Sequence, residues 1–305
     1  MTVSPTSNEA SAPMQRDTDP LVTVFVPSYN HGRYIGQTID AIARQTYRPI
    51  ELIVIDDGSR DDSPARLKEL ATTTDMRLVL NSRNAGVVKT LNEGLELARG
   101  KYFAPCASDD WWHPEKIAEQ VQRFESDREL KIAFTEGVEV DEAGNVIGPV
   151  RYTRQHRERW TFEDVLLRAD LPPASFMARR SDMLGVGGYD EAFRIEDLAM
   201  WLALLAHGGH ACVVRRELAY YRTHGANTHR MFSSMVIDQH YAIVDHYSAG
   251  HPRRAKILAE WQLRNGNFLA GVDKRRSMHY LMKAIRHVND YRLFAGLYKN
   301  IVRRG

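Results

Sequence analysis

Between Leu21 and Ser108 the chain alternates short, continuously apolar runs with amphipathic stretches, and each run stops at a polar turn. The first, LVTVFVPSYN, lacks the polar break at every second residue that a half-exposed strand shows, so it suits a strand buried on both faces. YIGQTIDAIARQ then sets Ile35, Ile39 and Ile42 at helical spacing, and IELIVIDDGS makes a second strand ending at two acids and Gly58. SPARLKELAT reads as a helix capped by Ser63 with Pro64 at its first position, MRLVLN as a strand, and VVKTLNEGLELAR as a helix closed by Gly100. KYFAPCAS is the next strand. Strands and helices in strict alternation with short connections predict an α/β chain, doubly wound around a mostly parallel sheet, with its site outside the strands' carboxyl ends.

The rest of the chain is less regular. HPEKIAEQVQRFESD is an amphipathic helix, LKIAFTEGVEVD and NVIGPV are strands turning at EAGN, DLAMWLALLAHG is a buried helix, and ACVVRRELAYYRTH is a strand pair or extended segment. From about Met231 the pattern is helical. The expected organisation is a disordered polar tail at 1–20, an α/β domain at 21–230 and a helical C-terminal region at 231–305. With 305 residues, 43% of them hydrophobic, the chain can bury a substantial core. Forty-one basic against thirty-nine acidic residues leave a charge of +2, so neither composition nor motif supports nucleic-acid binding. Cys106 and Cys212 have no zinc or disulfide spacing, no apolar run approaches the roughly 20 residues of a membrane span, and the N-terminus has no signal pattern. A cytoplasmic location is expected.

Three acidic pairs follow separate apolar segments: Asp56 and Asp57 in VIDDGS, Asp109 and Asp110 in CASDDWW, and Glu196 and Asp197 in RIEDLAMW. Acids at strand ends also serve as turn residues and helix caps, and DDGS alone fits that use equally well. Adjacent carboxylates repel, however, and need a cation, hydrogen-bond donors or water to coexist. Mg²⁺ or Mn²⁺, bound by hard oxygen ligands together with substrate phosphates, meets that need.

VTVFVPSYNHGRYIGQTIDAIARQTYRPIELIVIDDGSRDDS resembles the N-terminal signature of the family 2 glycosyltransferases, which have the GT-A fold. GVVKTLNEGLELARGKYFAPCASDDWWHPEKI is similar to the family's second block, GVGGYDEAFRIEDLAMWLAL to its third, and AYYRTHGANTH to its closing Tyr-Arg-x-His segment. The blocks occur in family order, which is far more specific than any one motif. The resemblance implies a Rossmann-like GT-A domain with a helical C-terminal appendage. It also implies inverting transfer of one sugar from a nucleotide-sugar, UDP-linked in the commonest case, to a hydroxyl of a glycan or lipid-linked acceptor in polysaccharide biosynthesis. It places Pro27 and Tyr29 at the nucleoside, Asp57 at the base, Arg83 in the nucleotide site, Asp109 at the ribose or the metal, Asp110 as the direct metal ligand, and Asp197 as the catalytic base. His224 either completes the coordination of Mn²⁺ or Mg²⁺, binds the diphosphate, or is structural. Trp111 and Trp112 are expected to pack or to face a sugar, and Trp201 to lie in the core.

The chain departs from the family pattern at Ala107, where relatives carry an additional acid, and at Ala199 and Ala203, where they often show Asp and Arg. It lacks the Gln-x-x-Arg-Trp element of processive synthases. Two other functions fit less well. A sugar-nucleotide pyrophosphorylase needs a Gly-rich basic loop after the first strand, which PSYNHGRYIG lacks, and a nucleotide-sugar-binding scaffold has no use for Asp197. Basic clusters at Lys274 to Arg276 and at Arg303 and Arg304 flank Leu281, Ile285, Val288, Phe294, Leu297 and Ile301 at helical spacing. Ordinary helix packing explains this pattern, and peripheral contact with an anionic membrane is the alternative.

Overall fold

A computed structural model describes residues 19–150, 157, 159–168, 171–225, 233–270, 273–285, 287 and 291–302. The tail expected at 1–20, apart from Asp19 and Pro20, and the boundary expected at residue 230 lie outside the described residues. The first half follows the alternation in the sequence: β1 (Val22–Ser28), α1 (Ile35–Ala43), β2 (Ile50–Asp56), α2 (Ser63–Leu70), β3 (Arg77–Leu80), α3 (Val87–Leu97) and β4 (Tyr102–Pro105). Strands β3, β2, β1 and β4 lie side by side, all parallel.

After β4 come the two-residue β5 (Trp111–Trp112), α4 (Lys116–Ser126), β6 (Leu130–Val140), β7 (Val146–Pro149), β8 (Arg159–Trp160), α5 (Phe162–Arg168), β9 (Met177–Arg179), α6 (Arg180–Gly185), α7 (Glu196–Ala206) and β10 (His210–Arg222). β9 runs antiparallel to both β4 and β6 and so joins the first four strands to the parallel pair β6 and β10. β5 adds an antiparallel edge to β10, pairing Trp112 with Ala219 and Trp111 with Tyr220.

Successive residues of a strand face opposite sides of the sheet, and here both sides are covered. Phe25, Ile53, Ile55 and Phe103 enter one core with Leu91, Leu95, Leu198 and Trp201. Val24, Val26, Leu52, Val54 and Tyr102 enter the other with Ile35, Ile39, Ile117 and Phe124. This two-sided burial is the reason the first strands read as unbroken apolar runs.

Some local features differ from the sequence reading. Ser63 is the first residue of α2 with Asp62 in the cap position, and its hydroxyl binds Asp61 rather than capping the helix. ACVVRRELAYYR forms one extended strand, the second of the two forms its sequence allowed, with a register that shifts around Glu217. β8 and β9, with two and three residues, are too short to show any period.

The C-terminal helices are α8 (Ser233–Tyr247), α9 (Arg254–Leu269), α10 (Lys274–Ala284) and α11 (Tyr291–Val302). Val236, Ile243, Val244, Ile257 and Trp261 from α8 and α9 complete the first core, and Trp261 Nε1 donates to the carbonyl of Leu166 at 2.6 Å. Leu281, Ala284, Leu293 and Leu297 pack with Ala259 and Leu263. Within α11 it is Leu293, 4% exposed, that joins Leu297 inward, whereas Phe294 is 66% exposed. Among the described residues no helix is long and apolar enough to cross a membrane.

Lys116, at the start of α4, is fully buried, with its Nζ 2.8 Å from Gln120 Oε1 and 3.6 Å from the centre of the Trp112 ring. Gln120 in turn donates to the carbonyls of Ala133 and Ser175, so this polar group ties α4 to the centre of the sheet. Burial lowers the Lys116 pKa to about 7. A lysine whose folded pKa lies below its unfolded value costs stability as pH falls from the unfolded value of about 10.4 through the folded one. Lys116→Met is therefore expected to raise the thermal midpoint, with a larger gain over wild type at pH 7 than at pH 10, measured by thermal unfolding of both proteins across that range.

Candidate active site at the carboxyl ends of the parallel strands

The ends of β1, β2, β4 and β10 deliver most of the residues singled out in the sequence to one pole of the sheet. Pro27 pairs in register with Ile55, and Ser28 with Asp56, so the loops after β1 and β2 leave the sheet side by side. These loops are bound to each other. The Asn30 N–H donates to Ser59 Oγ, the Arg60 N–H to Asn30 Oδ1, the His31 N–H to Ser63 Oγ, and the Gly32 N–H to Asp61 Oδ2. A Cβ on Gly32 would lie 2.9 Å from the backbone nitrogen of Ser63, so this close approach favours glycine. The polar run DDGSRDDS thereby fixes the position of His31.

Asp56 is a turn residue: its carboxylate accepts the Ser59 N–H at 2.9 Å and the Ser59 hydroxyl at 2.6 Å. Asp57 accepts the N–H groups of Ala85 and Gly86, both at 2.9 Å, which ties the start of α3 to the end of β2. Tyr29 is 41% exposed just beyond β1. Arg83 is exposed on the β3 to α3 loop, where its backbone passes directly beneath Gly58.

The acidic pair after β4 divides its contacts. Asp109 Oδ2 lies 2.9 Å from His224 Nε2, and its Oδ1 lies 3.8 Å from His31 Nδ1, which hydrogen-bonds Ser108 Oγ at 2.7 Å. One donor atom from each of His31, Asp109 and His224 falls within 4.8 Å of the others. Asp110 turns the other way: it is buried and its Oδ1 accepts the Arg222 N–H at 2.8 Å. The structure thus gathers Asp109, not Asp110, with the histidines. The sequence reading had favoured Asp110 for direct metal contact. The reason for the difference is that the chain turns between adjacent residues, aiming one carboxylate at the pole and the other at the end of β10.

The electrostatics follow this division. Burial alone would raise the Asp109 carboxyl, but the His224 hydrogen bond and the charges of His31 and His224 bring it below the usual carboxylate range. Asp110 is pushed well above that range by burial and then by Asp109, and the N–H and guanidinium of Arg222 offset this only in part.

Asp197 occupies the first turn of α7, and the far end of that helix passes through Gly208 and Gly209, at φ of 92° and 79°, into β10. Burial, and then the neighbouring Glu196, hold the Asp197 carboxyl well above its ordinary value. Buried Tyr189 is a further electrostatic neighbour of both acids, and its backbone is fixed by Asn92, whose side chain accepts its N–H and donates to its carbonyl. Trp111 stacks on Tyr220 at 5.0 Å, Trp112 donates to the Ala174 carbonyl, and Trp201 lies in the core.

The sequence reading missed two residues that the structure brings into the site. His31 stands directly after Tyr29 and Asn30 at the end of the first strand, and that position was its signal. Arg222 lies inside the quoted AYYRTHGANTH segment without an assigned role. An imidazole–carboxylate–imidazole set suits a divalent transition metal better than Mg²⁺, which prefers oxygen alone. The residues present therefore fit a cation such as Mn²⁺.

Residues 23–183 match the model of the family described as Glycosyl transferase family 2. An uncharacterised glycosyltransferase of Nostoc is 26% identical over 284 residues, covering 85% of this chain and 80% of the relative. A Bacillus subtilis glycosyltransferase assigned by name to teichuronic acid biosynthesis, TuaG, is 30% identical over 204 residues, covering 67% of this chain and 79% of the relative. Among solved structures, S. aureus TarS in complex with UDP-GlcNAc superposes with a TM-score of 0.68 at 16% identity, over 92% of this chain and 88% of that one. A Pyrobaculum calidifontis mannosyltransferase in complex with GDP-Man and Mn²⁺ gives 0.58 at 18% identity, over 95% and 89%. The sheet with its layered helices is therefore the GT-A fold, and with a family match across more than half its length the chain belongs to the family 2 glycosyltransferases.

Proposed function

We propose that the chain transfers one sugar from a nucleotide-sugar to a hydroxyl acceptor, with a divalent cation held by His31, Asp109 and His224 and with Asp197 as general base. The observation that carries this reading is the convergence of those three ligand-bearing side chains at the carboxyl ends of the parallel strands in a family 2 glycosyltransferase. The UDP-GlcNAc and Mn²⁺ in the complexes of two proteins with the same fold support a UDP-linked donor and Mn²⁺. The assignment of TuaG supports a surface polysaccharide as the acceptor.

A cation bound there supplies positive charge to the departing diphosphate. Asp109 is kept ionised by the two histidines, ready to act as a ligand. Asp197 accepts the proton of the acceptor hydroxyl as its oxygen bonds to the anomeric carbon and the bond from that carbon to the phosphate oxygen breaks. A raised carboxyl is a stronger base than an ordinary aspartate, provided that the pH is high enough to ionise it. Pro27, near the end of β1, and Tyr29, Asp57 and Arg83, on the loops that leave β1, β2 and β3, are the residues proposed to contact the nucleotide.

Two outcomes test this reading. Asp197→Asn is expected to lower kcat by about 10²-fold or more, within the range removed with a general base, while donor binding stays within about twofold. In wild type the acid limb of kcat/KM is expected above the ordinary aspartate range of about 3.9, because Asp197 must lose its proton to work. Full turnover by Asp197→Asn, or an acid limb at the ordinary value, would count against Asp197 as base. Chelation is expected to abolish UDP release from UDP-sugars, and Mn²⁺ to restore it in wild type but not in His224→Ala.

A further inference from the structure

Arg222 is only 2% exposed, and its side chain and backbone reach several groups that shape the site. Its backbone N–H binds Asp110 Oδ1 at 2.8 Å, and its Nε donates to the Asp109 carbonyl at 2.9 Å. One terminal nitrogen donates to the Glu142 carbonyl at 2.8 Å and the other to Gln37 Oε1 at 2.6 Å. The guanidinium carbon lies 4.7 Å from the centres of both the Tyr34 and the Trp111 rings. His224, two residues further on, follows directly from this anchor.

We propose that Arg222 is a positioning residue that sets the spacing between Asp109 and His224 and thereby the affinity of the site for a divalent cation. The inference rests on the metal reading given above. Asp109 lies on the loop between β4 and β5 and His224 just beyond the end of β10, and among the described residues the only sheet link between these two segments is the two-residue pairing of β5 with β10. The Arg222 side chain bridges them by holding the Asp109 backbone while its own backbone carries the chain into His224. Thr38 fixes the acidic segment from the other side, donating its hydroxyl to the Ser108 and Asp110 carbonyls at 3.0 and 2.7 Å.

The same side chain reaches the turn between β6 and β7. Glu142 gives its carbonyl to Arg222, and its carboxylate accepts Tyr34 Oη at 3.0 Å and pairs with Arg33. Tyr34 in turn packs against both histidines, with ring centres 5.2 Å from His224 and 6.1 Å from His31. The three nitrogens of the planar guanidinium donate to three separate acceptors while its carbon lies 4.7 Å from the centre of each of the two rings. A lysine ammonium cannot reproduce that arrangement.

The test is Mn²⁺ binding to the full chain without donor, followed by electron paramagnetic resonance titration, with thermal midpoints measured in parallel. Arg222→Lys is expected to weaken Mn²⁺ binding about tenfold or more, and Gln37→Met, which removes one acceptor of the guanidinium, by a smaller factor at an unchanged midpoint. His224→Ala is expected to abolish binding and serves as the control for the metal reading. If wild type binds Mn²⁺ and His224→Ala does not, but Arg222→Lys and Gln37→Met bind like wild type, the positioning role is overturned and the metal reading stands. If Arg222→Lys does not fold, an unchanged affinity in Gln37→Met overturns it. If wild type itself does not bind Mn²⁺, both fail together.

Discussion

Two adjacent carboxylates at the dry end of a strand repel each other, and the surrounding architecture resolves that repulsion by sending them in opposite directions. Asp109 faces two histidines that lower its pKa, while Asp110 faces the end of β10 and is pushed toward its neutral form. Like charges held close commonly separate in this way, one staying ionised and the other taking the proton. Arg222 sits between the two consequences, with its backbone on one acid's side chain and its side chain on the other acid's backbone. A buried guanidinium is tolerable only when its donors and faces are occupied, and the acidic segment, Glu142, Gln37, Tyr34 and Trp111 occupy them.

The loops around this segment form a connected layer. Ser59, Asp61 and Ser63 hold the loop that carries His31, Thr38 holds Ser108 and Asp110, and Glu142 ties the β6 to β7 turn to Arg33 and Tyr34. Most of these bonds join side chains to backbone, so they fix loop conformation without needing regular structure. The sheet beneath, buried on both faces, provides a rigid floor for them.

The alternation of the first four strands was legible because each is long enough, and buried enough, to appear as an apolar run. The acids were legible because adjacent like charges are uncommon at buried strand ends. The second half was harder to read. β5, β8 and β9 owe their existence to neighbours in the sheet, and β10 carries exposed Arg215, Arg216 and Glu217 across a register shift that obscures its period. In α11 the spacing pointed to Phe294 at the head of the packed face, but Leu293 takes that place, packed with Leu281 and Leu263, and Phe294 is exposed.

From sequence alone came the α/β class, the pole at which the site forms, and the residue types gathered there, because these depend on local periodicity and on the order of motifs along one chain. Tertiary structure decided which of two neighbouring aspartates meets the histidines, and it brought His31, Asp109 and His224 together across almost two hundred positions of sequence. The direction of a side chain at a strand end is set by the donors that other strands bring to it. Here those donors are the Arg222 backbone and the His224 ring, which lie 112 and 115 positions away from their partners.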